Sequence, residues 1–263
     1  MYRFILFSLT LFVLLACNNT TSEKKSSTIE QKLAELNKLV KQLPDSVSLR
    51  ENLVDVLDSM HDYKKAIKEI DFLIKTDSLN NAYWFRKAQL EEHIGDTGNA
   101  IINYSRSIKV YPSPEALLGL ANLYAETKNA LVLSICKDIR SLKLGSIYDS
   151  YAAFYEAVYW EKKQQTAKAL RLLDSSISLH FKMMDAYMEK AYIYYDIKQY
   201  EKATSILKTA LTVNPAYADA YYWLGKIAVQ QNEAAAAKNY FQKTLSLDPS
   251  FKEAALALQA LPK

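Results

Sequence analysis

Between residues 184 and 251 the apolar and polar positions of the chain recur at a step of 34 residues. With Ala218 as position 1, Tyr221, Leu224, Gly225, Ala228, Ala237, Phe241 and Pro249 stand at positions 4, 7, 8, 11, 20, 24 and 32. One period earlier the same places hold Tyr187, Lys190, Ala191, Tyr194, Ala203, Leu207 and Pro215. The pattern predicts two antiparallel helices per period. Small residues at 8 and 20 let the helices approach, large apolar residues fill the space between neighbouring pairs, and proline at 32 stops the second helix. No pair buries its apolar face alone, so the pairs must stack, with contacts almost entirely between neighbours.

The period extends toward the N-terminus. With Val47 as position 1, Leu53, Val54, Leu57, Ala66, Ile70 and Leu73 fall at 7, 8, 11, 20, 24 and 27; with Asn81 as position 1, Trp84, Ala88, Ala100, Tyr104 and Pro112 fall at 4, 8, 20, 24 and 32. A third unit starts at Pro114 with Leu117, Leu120, Ala121 and Tyr124 in place. Its second helix, about 130–144, carries a stripe of Leu131, Ile135, Ile139 and Leu142 and has Leu133 or Ser134 where a small residue belongs. One extra residue precedes the fourth unit, which starts at Ser150 with Ala153, Ala157, Trp160, Ala169 and Leu173, and which has Phe181 in place of the proline. An altered helix crossing is expected there. A lone helix with Ile29, Leu33, Leu36, Val40 and Leu43 precedes the array, opened by a capping-box spacing at Thr28 and Gln31 and ended by Pro44. A short helix with Ala254, Ala255, Leu258 and Leu261 follows it.

The period, the aromatic at 4, the small residues at 8 and 20 and the proline at 32 resemble the tetratricopeptide repeat (TPR). The resemblance implies an all-α fold, a right-handed superhelical solenoid of antiparallel helix pairs. It would comprise six repeats, near 47–80, 81–113, 114–149, 150–183, 184–217 and 218–251, with a cap at each end of a solenoid over 29–263. It also implies a non-enzymatic protein-interaction scaffold.

The two ends and the composition refine this expectation. Half of the chain is apolar and it holds only five glycines and six prolines, which fits long helices. Its formal charge of +4 is mild, and the lysines are spread along the chain. At the N-terminus Arg3 precedes an apolar run from Phe4 to Ala16, about 20 Å long as a helix and short of the roughly 30 Å hydrocarbon core. The run ends in Leu14-Leu15-Ala16-Cys17, which resembles the bacterial lipobox, with Leu15 larger than the usual residue. A signal peptide over 1–16 is expected, cleaved before an acylated Cys17, with palmitate-like chains holding the protein at a bacterial envelope membrane, first of all the outer membrane. The polar stretch up to Thr28 reads as a flexible tether with a stretched reach of roughly 38 Å. Cys136, in an apolar helix pattern, reads as a buried inert thiol.

No constellation of catalytic residues stands out. His61, His93 and His180 lie in different repeats, without neighbours at metal-ligand spacing, and no phosphate loop, GxSxG or HExxH occurs, so neither metal nor cofactor is expected. In the TPR family positions 2, 5, 9, 12 and 13 of the first helix line the inner face. Carried over repeat by repeat, they hold ten carboxylates and two lysines, Lys162 and Lys226. The residues singled out for partner binding are Glu51, Asp55, Asp58, Phe85, Glu92, Tyr151, Phe154, Tyr192, Tyr195 and Tyr222. The implied surface is acidic with an aromatic middle, suited to a basic and apolar segment of another protein and of the wrong sign for nucleic acid. Chaperone-binding members hold a partner's C-terminal carboxylate with Lys and Asn; with Glu51, Phe85 and Phe154 at position 5 that clamp is absent. Two other readings stand beside the groove. Acidic residues at position 2 also favour a helix's first turn, and the aromatics also serve as packing between repeats. At the level of function the alternatives are a self-associating structural lipoprotein, as a homo-oligomer, and an adaptor that positions an envelope enzyme.

Overall fold

The computed structural model describes residues 20–261, with side chains from Thr28. The expected signal peptide and the lipidated Cys17 lie outside the described residues. All the elements in this range are helices, and they fall into two compact units, one ending at Asp96 and one beginning at Thr97. The division lies between the two helices of the expected second repeat.

The first unit holds α1 (Thr20–Gln42), α2 (Val47–Ser59), α3 (Tyr63–Thr76) and α4 (Asn81–His93). Helix α1 begins at Thr20, not at Thr28, so the segment expected as tether is helical from there on; Glu23, Lys24 and Lys25 are good helix formers. Leu36 is buried, and Ile29, Leu33 and Val40 pack against α2 and α3, whereas Leu43 is exposed, because it follows the last helical turn. Leu53, Val54, Leu57, Ala66, Ile70 and Leu73 form the core of the unit. Asp62 caps α3 by accepting from the Lys65 N–H at 3.3 Å, and Asn80 caps α4 by accepting from the Ala82 N–H at 3.1 Å.

The second unit runs α5 (Thr97–Val110), α6 (Pro114–Glu126), α7 (Leu131–Ser141), α8 (Ser146–Lys162), α9 (Thr166–Leu179), α10 (Met184–Asp196), α11 (Tyr200–Val213), α12 (Ala218–Gln230), α13 (Ala234–Leu247) and α14 (Lys252–Gln259). Each helix packs on the next in the chain. The small residues sit where the helices come closest: Ala121, Ala157, Ala169, Ala191, Ala203 and Ala237 are buried, and a Cβ on Gly225 would lie 3.0 Å from Phe241 Cζ and nearer still to the ring's Cδ1 and Cε1. The turn after each first helix places one residue in left-handed backbone. Gly95 does so at φ 74°, and His61, Lys128, Gln164, Lys198 and Asn232 do so at 57–61° without being glycine.

The irregular third pair departs from the expected stripe. Helix α7 buries Val132, Cys136 and Ile139, while Leu131 is 53% exposed and Leu142 lies at the exposed edge. The spacing 132, 136, 139 equals that of Ala66, Ile70 and Leu73, and its first two residues fall one later than Leu131 and Ile135 of the expected stripe. Valine therefore takes the usual small position, and Cys136 supplies the small side chain one turn later. Gly145, at φ 99°, then opens α8, which gains a first turn at Ser146 ahead of the expected Ser150 and is 17 residues long against 11 for α7. Without proline, α9 stops at His180, and the following turn is held by Met183, whose sulfur accepts from the buried Ser150 and Ser176 hydroxyls at 3.0 and 3.2 Å.

Candidate functional site

The candidate residues lie on the first helices of the pairs, and each unit gathers its own set. In the first unit α2 presents Glu51, Asp55 and Asp58, and α4 presents Tyr83, Phe85 and Arg86. The Tyr83 hydroxyl donates to Glu51 Oε1 at 2.8 Å, and the Arg86 guanidinium donates to Asp58 Oδ2 at 2.6 Å and to Asp55 Oδ1 at 3.3 Å. Burial and the Glu51 charge push the Tyr83 phenol up to about 12, so it stays a donor at neutral pH. Glu51, Asp55, Phe85 and Arg86 line one cavity of about 430 Å³. Glu92 is half-buried in the last turn of α4 and does not line it. The acidity of this face is thus lower than expected but keeps its sign, with three carboxylates against one guanidinium. Arg86 neutralises part of the acidic cluster, so the cleft is mixed in charge with an aromatic wall.

In the second unit the aromatic candidates split in two. Tyr151 and Phe154 of α8 lie against the core formed by Ala157, Leu173, Met183 and Ile193, and both rings meet Tyr155, at 6.3 and 5.5 Å between centroids. They are packing residues on one side. Tyr192, Tyr195 and Tyr222 converge instead on Trp223, at 4.4, 5.2 and 6.1 Å, and the Lys226 ammonium stands 3.9 Å over the Trp223 ring. Burial raises the Tyr192, Tyr195 and Tyr222 phenols above their ordinary value. Tyr195, Tyr222 and Lys226 also line a cavity of about 260 Å³ with Val229, Phe241 and Leu261.

Within the second unit, α6, α8 and α10 also bring carboxylates together. Lys162 pairs with Glu126 at 2.9 Å; Glu161 keeps one buried oxygen without a hydrogen bond. Burial, then the Glu126 and Glu161 charges, raise the Glu189 carboxyl above its ordinary value. Among the described residues no group of three His, Cys, Asp or Glu side chains is arranged to hold a metal ion, and no helix is long and apolar enough to cross a membrane.

Arg86, Glu189 and Trp223 are absent from the sequence-derived set, and all three occupy position 6 of their repeats. Position 6 lies four residues after 2 and three before 9, on the same helix face, and it reaches positions 9 and 12 of the preceding repeat. That spacing is the signal that would have found them.

Residues 51–108 and 198–261 each match a family model described as tetratricopeptide repeat. The chain is a tetratricopeptide repeat protein. It is similar to the TPR repeat-containing protein MJ1428 of Methanocaldococcus jannaschii, with 29% identity over an alignment of 171 residues that covers 61% of this chain and 30% of that protein. The chain thus spans less than a third of that relative's length. Among solved structures, a TPR protein from Parabacteroides merdae superposes with a TM-score of 0.72 at 18% identity, covering 91% of this chain and 94% of that one. PilW, a type IV pilus biogenesis factor, gives 0.64 at 18% identity over 80% of this chain and 97% of its own, and yeast Tom70 gives 0.60 at 16% over 92% and 60%. At these identities the likeness is one of fold. In this TPR chain the first helices carry three different chemistries: an ion-paired cleft in the first unit, and a carboxylate group and an aromatic cluster in the second.

Proposed function

We propose that this TPR protein is a non-enzymatic interaction scaffold that binds a segment of another protein along its first-helix faces. In this reading it is exported and held by an acylated Cys17 at a bacterial envelope membrane. The observation that carries the binding role is the convergence of Tyr192, Tyr195 and Tyr222 on Trp223 beside a 260 Å³ cavity, since aromatic side chains give large contact area at low entropic cost. The cleft of the first unit supports the same role. Glu51 and the outward oxygens of Asp55, which is 72% exposed, receive basic side chains, and Phe85 receives apolar or proline residues. Binding of this kind weakens as salt rises.

The test is a crosslinking pull-down from intact cells, comparing the native chain with Glu51→Lys and with Tyr192→Ala/Tyr222→Ala. Glu51 is chosen over Asp55 and Asp58 because those two are ion-paired with Arg86, whereas Glu51 accepts only from the neutral Tyr83 hydroxyl. Loss of the same partners in both variants, with helicity intact by circular dichroism, supports the reading. An unchanged partner set moves recognition to another surface.

A further inference from the structure

Only two lysines stand at the inner positions of this chain, and their situations differ. Lys162 is neutralised by Glu126 at 2.9 Å. Lys226 has no carboxylate within ion-pair distance among the described residues; its ammonium is held over rings alone, 3.9 Å from the Trp223 centroid, 5.3 Å from Tyr195 and 5.8 Å from Tyr222. Glu253 on α14 acts on the Tyr222 phenol but forms no ion pair with this lysine. Ring faces attract an ammonium without neutralising it. The cation is therefore fixed in place, with no carboxylate among the described residues to pair with it.

Beside it lies the 260 Å³ cavity between α10, α12, α13 and α14, and apart from Lys226, Gln230 and the two phenols its walls are aliphatic or aromatic: Val229, Phe241, Ala257, Ala260 and Leu261. Val229, at its mouth, is 40% exposed. An apolar cavity next to one unpaired, positioned cation is complementary to a group that carries an apolar body and a carboxylate side by side.

We infer that this cavity is a binding site for a partner segment in which an acidic side chain adjoins a large aliphatic one, the aliphatic chain entering the cavity and the carboxylate pairing with Lys226. This rests on the proposed scaffold role and refines it. This site in the second unit then has the opposite sign preference from the Glu51 cleft of the first unit, so each takes a segment of its own charge. Positions 9 and 12 also explain why the rings matter. Tyr192 and Tyr195 pack on Trp223, and Trp223 carries the ammonium, so the aromatic cluster positions the charge.

The experiment uses the full chain and three peptides matched in length, titrated by isothermal calorimetry or by amide NMR shifts. One is capped at both ends and contains Leu-Glu, the second has Leu-Gln in its place, and the third ends in a free leucine carboxylate and lacks the glutamate. Binding of the Leu-Glu peptide is expected to exceed that of the Leu-Gln peptide by about tenfold, the scale of one charge-assisted contact. Lys226→Met is expected to remove that preference, and Lys226→Arg to retain it. Equal binding of the first two peptides, absence of binding, or an unchanged preference in Lys226→Met overturns the assignment. A preference for the free C-terminus overturns the assignment of the carboxylate to a side chain. A failed pull-down with the peptide preference intact would count against the scaffold role alone, and lost preference with partners retained would count against this site alone.

Discussion

Adding a single methyl group at Gly225 pits local helix propensity against packing. Alanine in a helix interior is favoured over glycine by about 1 kcal/mol, so on an exposed helix Gly225→Ala would stabilise. Here the new Cβ would lie 3.0 Å from Phe241 Cζ and closer to two other ring carbons, and the ring is 1% exposed, with Ala228 and Ala237 packed around it. Overpacking of this kind destabilises by about 1–3 kcal/mol, and the enclosed, rigid ring puts this case at the upper end. The net expectation is a loss of about 2 kcal/mol. Urea unfolding followed by circular dichroism at 222 nm measures it. The companion variant Gly225→Ala/Phe241→Leu opens room for the methyl, so its loss should fall short of the sum of the two single losses by about 1 kcal/mol or more. A Gly225→Ala chain more stable than the parent, or strict additivity in the double variant, would refute the close approach of α12 and α13 as the reason for glycine.

Three further outcomes follow from the second unit. The Glu189 carboxyl is raised above its ordinary value of 4.5, so the folded state holds this proton more tightly than the unfolded chain; the stability it contributes is present below that value and is lost as pH rises through the folded one. Glu189→Gln should therefore be more stable than the parent at pH 7, with the difference vanishing near pH 4, in urea titrations at several pH values. Lys198 sits at φ 60°, a conformation that is unfavourable for a side chain by about 1 kcal/mol, so Lys198→Gly should stabilise by about 0.5–1 kcal/mol in the same assay. Burial, with the Glu156 charge second, pushes the Cys136 thiol up to about 12, so it should resist alkylation at pH 8 in the folded protein and react on unfolding, as read by mass spectrometry.

The periodic part of the fold was legible because one set of small residues recurs. Alanine or glycine at positions 8 and 20 has a single use, the contact between two helices, and those residues are the buried ones. Helix α7 was not legible in detail, because a one-residue shift leaves a stripe through Leu131 and Ile135 that looks as helical as the stripe through Val132 and Cys136. Only packing against α6 and α8 decides between them. The start of α1 was missed for a different reason: its first residues have helix propensity without apolar periodicity. At the candidate site, family positions led to Glu51, Asp55 and Tyr192 but passed over Arg86 and Trp223, whose side chains cross to the preceding repeat. The net charge of the first cleft depends on that crossing, since Asp55 and Asp58 count as free acids until Arg86 is placed between them.

The three position-6 side chains give the chain seams of unlike material. The seam closed by Arg86 is electrostatic and loosens with added salt. The one around Glu189 tightens in mild acid, and the one stacked on Trp223 is indifferent to both. A change of medium therefore does not slacken such a protein evenly; it selects which joint yields first. In hydrogen exchange the amides of α2 and α4 should lose protection in high salt, those of α8 and α10 should gain it as pH is lowered at matched intrinsic rates, and those of α12 should hold under either condition.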